Sequence, residues 1–231
     1  VINFQYLLVK YVYGDHNSSK SVVRAVNSLI DELPNNGAGL NVGSGMTNLD
    51  SRIKNLELEA APNIDYVGSV EAIPEMDSVF DLIISQEVLE HVKSPSLAII
   101  EMRRVLKTGG RCYIQLPFII GYHPCPNDYW RFTKEGLIAL IESSGMEVVE
   151  VGESVGSATG FYRIGVEFFS ILLSVAVPRG YKIFKGIFSL LLYQLPQLTF
   201  LKLLDPFFLK FCIYFLHKHT PPFQLLVAYY L

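Results

Sequence analysis

The segment from Leu116 to Thr133 concentrates reactive side chains: His123, Asp128, Tyr129, the only tryptophan (Trp130) and Arg131, set among Pro117, Pro124 and Pro126. An imidazole titrates close to neutral pH and can take a proton from a hydroxyl. His123 is therefore a candidate general base. Asp128 either orients it or acts in its place. Tyr129 and Trp130 offer flat apolar faces for stacking, and Arg131 is a candidate ligand contact beside them. The competing reading is a structural loop in which Asp128 pairs with Arg131 and Trp130 fills the core.

A second set lies upstream. Leu40-Asn41-Val42 runs directly into Gly43-Ser44-Gly45. Glycine lets the backbone approach a ligand closely, and such a turn aims N–H groups at it. Alone the pair is also compatible with a plain tight turn, and the third glycine of the dinucleotide fingerprint is missing. Fourteen residues past Gly43, Glu57 closes a short apolar run. An acid at that point can accept both hydroxyls of a ribose. Glu59 is its rival, and an exposed strand-end charge is the plain alternative.

These residues need a scaffold, and the pattern predicts one. Ser18–Leu33 reads as a helix capped by Ser18 or Ser19, with Val22, Val23, Val26, Leu29 and Ile30 on one face. Strands are predicted at Gly39–Val42, Ile53–Leu58, Ile64–Val67, Val79–Ser85, Arg111–Leu116 and Met146–Val151. Helices are predicted at Pro95–Leu106, capped by Ser94 and stopped by Gly109-Gly110, and at Thr133–Ser144, capped by Thr133, or by Phe132 if Thr133 is its first residue, and closed by Gly145. Alternating strands and helices imply an α/β domain with a mostly parallel sheet. The reactive loop then follows the fifth strand, at the sheet edge where ligands of open α/β folds bind.

The string Phe80-Asp81-Leu82-Ile83-Ile84-Ser85-Gln86-Glu87-Val88-Leu89-Glu90-His91-Val92, followed by Arg104-Val105-Leu106-Lys107-Thr108-Gly109-Gly110, resembles the class I S-adenosylmethionine-dependent methyltransferases of the type 11 group. The resemblance covers about residues 38–151 and extends to 223–231. It implies a Rossmann-like seven-stranded sheet in the order 3-2-1-4-5-7-6, with strand 7 antiparallel and formed by Phe223–Leu231. It also implies S-adenosylmethionine as cofactor. Asn41, Gly43, Ser44 and Gly45 match the loop under the methionine part; the family often has an acid where Asn41 stands. Glu57 matches the ribose acid. Ser69 falls where many members place an Asp on adenine, Val70 packs on the ring, and Ser85, Gln86 and Glu87 face the methyl donor. Glu90 and His91 belong to the same motif and read equally well as packing residues. The stretch from Met46 to Ile53 leaves room for only a very short first helix. The loop His123–Thr133 resembles the H-x-x-P-x-D-Y-x-R-F-T segment of methyltransferases from glycan-biosynthesis contexts, which implies a hydroxyl acceptor on a sugar or lipid-linked glycan. A quinone or lipid acceptor, or a non-catalytic membrane scaffold of the same fold, are the alternatives.

Composition divides the chain of 231 residues. Residues 1–160 carry 12 Lys and Arg against 20 Asp and Glu; residues 161–231 carry 7 against 2. Of the aromatic residues, 12 lie in the first part and 17 in the last 71 residues. An acidic globular part is thus joined to a basic, greasy one, which points to membrane or lipid. The longest uncharged stretch, Gly186–Leu201, has 16 residues and is interrupted by Pro196; a spanning helix needs about 20. Interfacial helices are expected over 161–219, inserted between strands 6 and 7 of a domain made of 1–160 and 220–231. A cap packed on the domain or on a second subunit, and a true span, are the alternatives. Tyr181 and Lys185 mimic a dehydrogenase pair and read as interfacial residues. With a net charge of −3, nucleic acid is not an expected partner. Cys112, Cys125 and Cys212 are widely spaced without a C-x-x-C, so neither a disulfide framework nor a zinc site is expected, and no metal is assigned. Val1–Tyr13 lacks the marks of a signal peptide. The expected location is cytoplasmic, peripheral on the cytosolic face of a membrane.

Overall fold

A computed structural model describes residues 19–45, 47–155, 157–177, 180–192 and 224–230. Val1–Tyr13, Ser18, Cys212, the greasy segment beyond residue 192 and Thr220–Phe223 lie outside the described residues.

The first helix, α1 (Lys20–Asp31), starts at Ser19, whose Oγ accepts the Val22 N–H at 3.3 Å. This satisfies one of the N–H groups left open by the first turn. Val22, Val26, Leu29 and Ile30 form its buried stripe. Val23 lies off the stripe and is 41% exposed, contrary to expectation, because it sits one position, about 100°, round the helix from Val22. The strands are β1 (Gly39–Val42), β2 (Ile53–Glu57), β3 (Tyr66–Val67), β4 (Phe80–Gln86), β5 (Leu106–Pro117), β6 (Glu147–Val155) and β7 (Gln224–Tyr230). Between them run α2 (Pro95–Val105), α3 (Lys134–Glu142), α4 (Ser157–Ala176) and α5 (Tyr181–Leu192).

The sheet order is β3-β2-β1-β4-β5-β7-β6. Every pairing is parallel, including β5 with β7 and β6 with β7. The antiparallel strand 7 is therefore corrected. A hairpin would force antiparallel pairing, whereas the connection over residues 156–223 is long enough to return the chain to the starting edge of the sheet.

Leu40, Val42, Ile83, Cys112, Ile114 and Leu116 face Ala98, Ile99 and Met102 of α2 and Leu137 and Ile141 of α3. On the other face Ile53, Leu82, Ile84 and Tyr113 pack on α1. Alternation along each strand thus feeds two cores. Two details differ from the sequence pattern. The helix α2 ends at Val105, and Leu106 turns extended and opens β5, so Gly109-Gly110 does not stop a helix. The two glycines lie inside a register shift, where Phe80 pairs Leu106 but Leu82 pairs Arg111, and Gly109 has φ +81°. Between β1 and β2 no helix occurs among the described residues; the chain crosses on turns closed by Thr47 N–H to Ser44 O and Ile53 N–H to Asp50 O.

Arg104 fastens the segment after β3. It donates to the carbonyls of Ile73 and Glu75 (2.9 and 2.8 Å) and to Glu101 and Asp77. On the far side, α4 and α5 pair through Glu167, which accepts from Tyr181 and binds Lys185 at 2.9 Å. Tyr181 and Lys185 thus face a partner inside the protein rather than an interface, because Glu167 lies on the neighbouring helix.

Candidate active site

The carboxyl ends of β1, β2, β4 and β5 bring the sequence candidates to one edge of the sheet. Gly43 (φ +62°) and Gly45 (φ +55°) follow β1. A Cβ on Gly43 would lie 2.4 Å from Val88 Cγ2, whereas one on Gly45 meets nothing within 4 Å. The first glycine is required by packing, the second leaves open space. Glu57 Oε1 accepts the Gly45 N–H at 2.8 Å and Oε2 the Leu58 N–H at 3.0 Å, which fixes the carboxylate against the turn. Asn41 is buried and donates to Asn55 Oδ1 (3.3 Å); Asn55 donates to Asn48 Oδ1 and to the Asn63 carbonyl, and Asn63 donates to the Gly45 carbonyl. The Asn41 amide therefore looks toward β2 and belongs to the framework of the turn. Ser69 Oγ accepts the Glu71 N–H at 3.1 Å, and Val70 is buried in the core.

At the end of β4, Ser85 is fully buried, and Gln86 Nε2 donates to Gln115 Oε1 at 3.2 Å. Glu87 takes φ +58°, a region a non-glycine residue enters only at a local cost, and its N–H is held by the Gln115 carbonyl. This kink throws the chain into the turn carrying Glu90 and His91.

The loop after β5 closes over that turn. The Glu90 carbonyl accepts the N–H groups of Tyr129 and Trp130, and Trp130 Nε1 donates to the Val92 carbonyl at 3.0 Å. Trp130 does not fill the core: it is 42% exposed and stacks on Phe132. Tyr122 and Tyr129 are exposed beside it. Asp128 is almost wholly buried. Both its oxygens bind Arg131 (2.5 and 2.7 Å), and Oδ2 also accepts the His123 N–H at 2.9 Å. The Arg131 hydrogen bonds hold its carboxyl down to about 2. Asp128 is thus a fixed anion 3.4 Å from His123 Nδ1, suited to orienting the ring.

Among the described residues, the buried polar atoms at this edge without a hydrogen-bond partner are Ser44 Oγ, Asn63 Oδ1, Ser85 Oγ, both oxygens of Glu90 and His123 Nε2. Glu90 is 1% exposed, and burial pushes its carboxyl up to about 8. Partial burial pulls His91 down. Glu90 Oε1 lies 3.8 Å from His91 Nε2 and 4.0 Å from His123 Nε2. From sequence, Glu90 and His91 are motif residues that read equally well as packing residues, and nothing there joins them to His123. The available signal is an acid-His pair at a strand end and a second His in the loop after the next strand.

Residues 30–114 match a family model described as a methyltransferase domain. The match spans 85 of the 231 residues and supports S-adenosylmethionine as the cofactor. Among solved structures, a SAM-dependent methyltransferase from Thermotoga maritima, described as a possible histamine N-methyltransferase, is 22% identical. It covers 62% of this chain and 77% of its own, with a TM-score of 0.44. Phosphoethanolamine N-methyltransferase 2 of Haemonchus contortus, in complex with phosphomonomethylethanolamine and S-adenosylhomocysteine, is 14% identical over 82% of this chain and 53% of its own, with a TM-score of 0.48. A search of curated protein sequences finds no match. The residues present fit the cofactor: open space at Gly45, the unpartnered Ser44 hydroxyl and a carboxylate anchored beside them.

Proposed function

We propose that this chain is an S-adenosylmethionine-dependent methyltransferase that O-methylates a sugar or lipid-linked glycan at a membrane surface. The observation that carries the reading is the set of unpartnered, buried polar atoms at the carboxyl edge of the sheet: Ser44 Oγ, Ser85 Oγ, both Glu90 oxygens and His123 Nε2. Such groups cost about 1–3 kcal/mol each when left unsatisfied, so a ligand that pairs with them is favoured.

When bound, the cofactor supplies an electrophilic methyl group. Gly43, Ser44 and Gly45 hold its methionine part, with Asn41 bracing the turn through Asn55. Glu57 keeps free lone pairs for the ribose hydroxyls although each oxygen already accepts one N–H. Ser69 spends an oxygen lone pair on Glu71 and keeps its hydrogen for adenine, with Val70 below. Ser85, Gln86 and Glu87 border the reacting centre. His123 takes the acceptor's proton, Asp128 orients it, and Arg131 locks Asp128. Tyr129 and Trp130 present exposed faces to a sugar. Holding both partners in line supplies much of the acceleration.

The membrane part of the reading rests on α4. Phe161, Ile164, Phe168, Leu172 and Val175 recur at helical spacing and are all exposed, with Ile183 and Ile187 on α5. Contiguous exposed apolar surface of this kind marks an interaction site. Among the described residues no helix is long and apolar enough to cross a membrane. The reading puts the segment 161–219 at the cytosolic surface of a membrane, as an insertion in a catalytic domain of 1–160 and 220–231. The same apolar face favours a second reading, a quinone or lipid acceptor. Transfer of a labelled methyl group from S-adenosylmethionine to vesicles carrying lipid-linked glycan, lost in His123→Ala, supports the first. Label on quinone or lipid alone selects the second. Absence of transfer to either by the folded chain contradicts both.

A further inference from the structure

We infer that Glu90, His91 and His123 form a binding site for one divalent transition-metal ion. One ligand atom from each lies within 4.8 Å of the other two. Ligands at about 2.0–2.2 Å from a tetrahedral ion sit about 3.2–3.6 Å apart, so the cluster closes on an ion with shifts of roughly 1 Å.

Three observations point the same way. First, the carboxylate is there without another use: Glu90 is 1% exposed and neither oxygen has a hydrogen-bond partner. Buried carboxylates are paired or bind metals. Second, both imidazoles are turned correctly. His91 Nδ1 lies 2.5 Å from the Asn127 carbonyl and His123 Nδ1 lies 3.0 Å from the Gly121 carbonyl. A carbonyl can only accept, so His91 Nδ1 carries the hydrogen and its Nε2 lone pair faces Glu90; His123 Nδ1 meets both the Gly121 carbonyl and the Arg131 guanidinium, and binding a metal through Nε2 selects the tautomer that donates to Gly121. A backbone carbonyl behind the ring is the usual support of a metal-bound histidine. Third, His123 Nε2 is itself buried and unpartnered. Two imidazoles and one carboxylate suit zinc, iron(II), manganese or cobalt and leave open positions. The Glu87 charge acts on both Glu90 and His91 from the adjacent turn.

The site joins the turn after β4 to the loop after β5, so an ion would staple the loop bearing Tyr129 and Trp130 onto the sheet edge. Its chemical consequence rests on the methyltransferase reading and revises one part of it. With His123 as a ligand, the ion takes over activation of the acceptor. A hydroxyl reaching an open position becomes more acidic and loses its proton to water. Its oxygen then takes the methyl group: the O–C bond forms as the C–S bond breaks, and sulfur keeps the electron pair as a neutral thioether.

The test uses the full chain, stripped with a chelator and titrated with Zn2+, Mn2+ and Co2+ separately by calorimetry, with S-adenosylmethionine affinity measured in parallel. The expected result is one ion per chain for at least one metal, a rise in Tm, and visible Co2+ absorption of a low-coordinate site. Affinity should fall at least 100-fold in Glu90→Gln, His91→Gln and His123→Gln alike. His123→Gln, on a loop, serves if Glu90→Gln fails to fold. No stoichiometric binding by the folded chain, or unchanged affinity in all folded variants, overturns the site. Cofactor binding without metal binding overturns the site and leaves the methyltransferase reading; metal binding without cofactor binding does the reverse.

Discussion

Gly43→Ala separates the two reasons for the glycine turn. At φ +62° an alanine pays about 1–2 kcal/mol for its Cβ against the carbonyl. Its Cβ would also stand 2.4 Å from Val88 Cγ2, far inside van der Waals contact, and overpacking of this kind costs about 1–3 kcal/mol. The expected loss is about 2–5 kcal/mol in urea denaturation. Val88→Ala removes only the second part, so a double-mutant cycle should return a favourable coupling of about 1–3 kcal/mol. Gly45→Ala, at φ +55° with nothing within 4 Å, should lose only the backbone cost while weakening cofactor binding. A coupling indistinguishable from zero would refute the packing argument. Equal losses at Gly43 and Gly45 would refute it as well.

Further outcomes follow from individual contacts. Glu57→Ala should weaken S-adenosylmethionine binding about 10–100-fold by calorimetry, since a charged acceptor is worth about 1.5–3 kcal/mol. Arg104→Met frees two carbonyls and two carboxylates after β3 and should cost about 2–3 kcal/mol in urea. Arg104 hydrogen bonding holds Glu101 below its ordinary 4.5. A depressed carboxyl stabilises the fold above its unfolded pKa and loses that contribution as pH falls through the folded one, so the gap between wild type and Arg104→Met should narrow below about pH 4.5. Asp128→Asn should lower kcat for methyl transfer at least 10-fold with the cofactor Kd little changed, because it loosens His123 and Arg131 but touches nothing near Gly43 or Glu57. Lys185→Met should destabilise the α4–α5 pair, seen as earlier proteolysis in that hairpin, because Glu167 loses its ion partner.

Much of the scaffold was legible because local chemistry and global packing agree. Ser19, Ser94 and Thr133 cap helices where a hydroxyl precedes an apolar stripe, and each accepts the expected N–H. The strands of the two cores show themselves as short apolar runs. The direction of β7 was not legible, since an apolar run pairs either way and the connection before it decides. Nor was the fate of Tyr181 and Lys185, whose partner Glu167 sits on another helix. Within the site, spacing pointed to the glycine turn and to Glu57, with Glu59 as its rival, and the structure joins the turn and Glu57 by a hydrogen bond. The cluster of Glu90, His91 and His123 escaped because it depends on β5 running beside β4 and on the loop folding back, a long-range geometry no spacing encodes.

The measurement that tests the central claim most directly is calorimetric titration of S-adenosylmethionine into the full, folded chain beside Glu57→Ala and Gly43→Asp. The account predicts saturable binding at one site per chain, weakened by the first substitution and abolished by the second. No binding by wild type with a native circular dichroism spectrum, or binding that both variants retain, would contradict it.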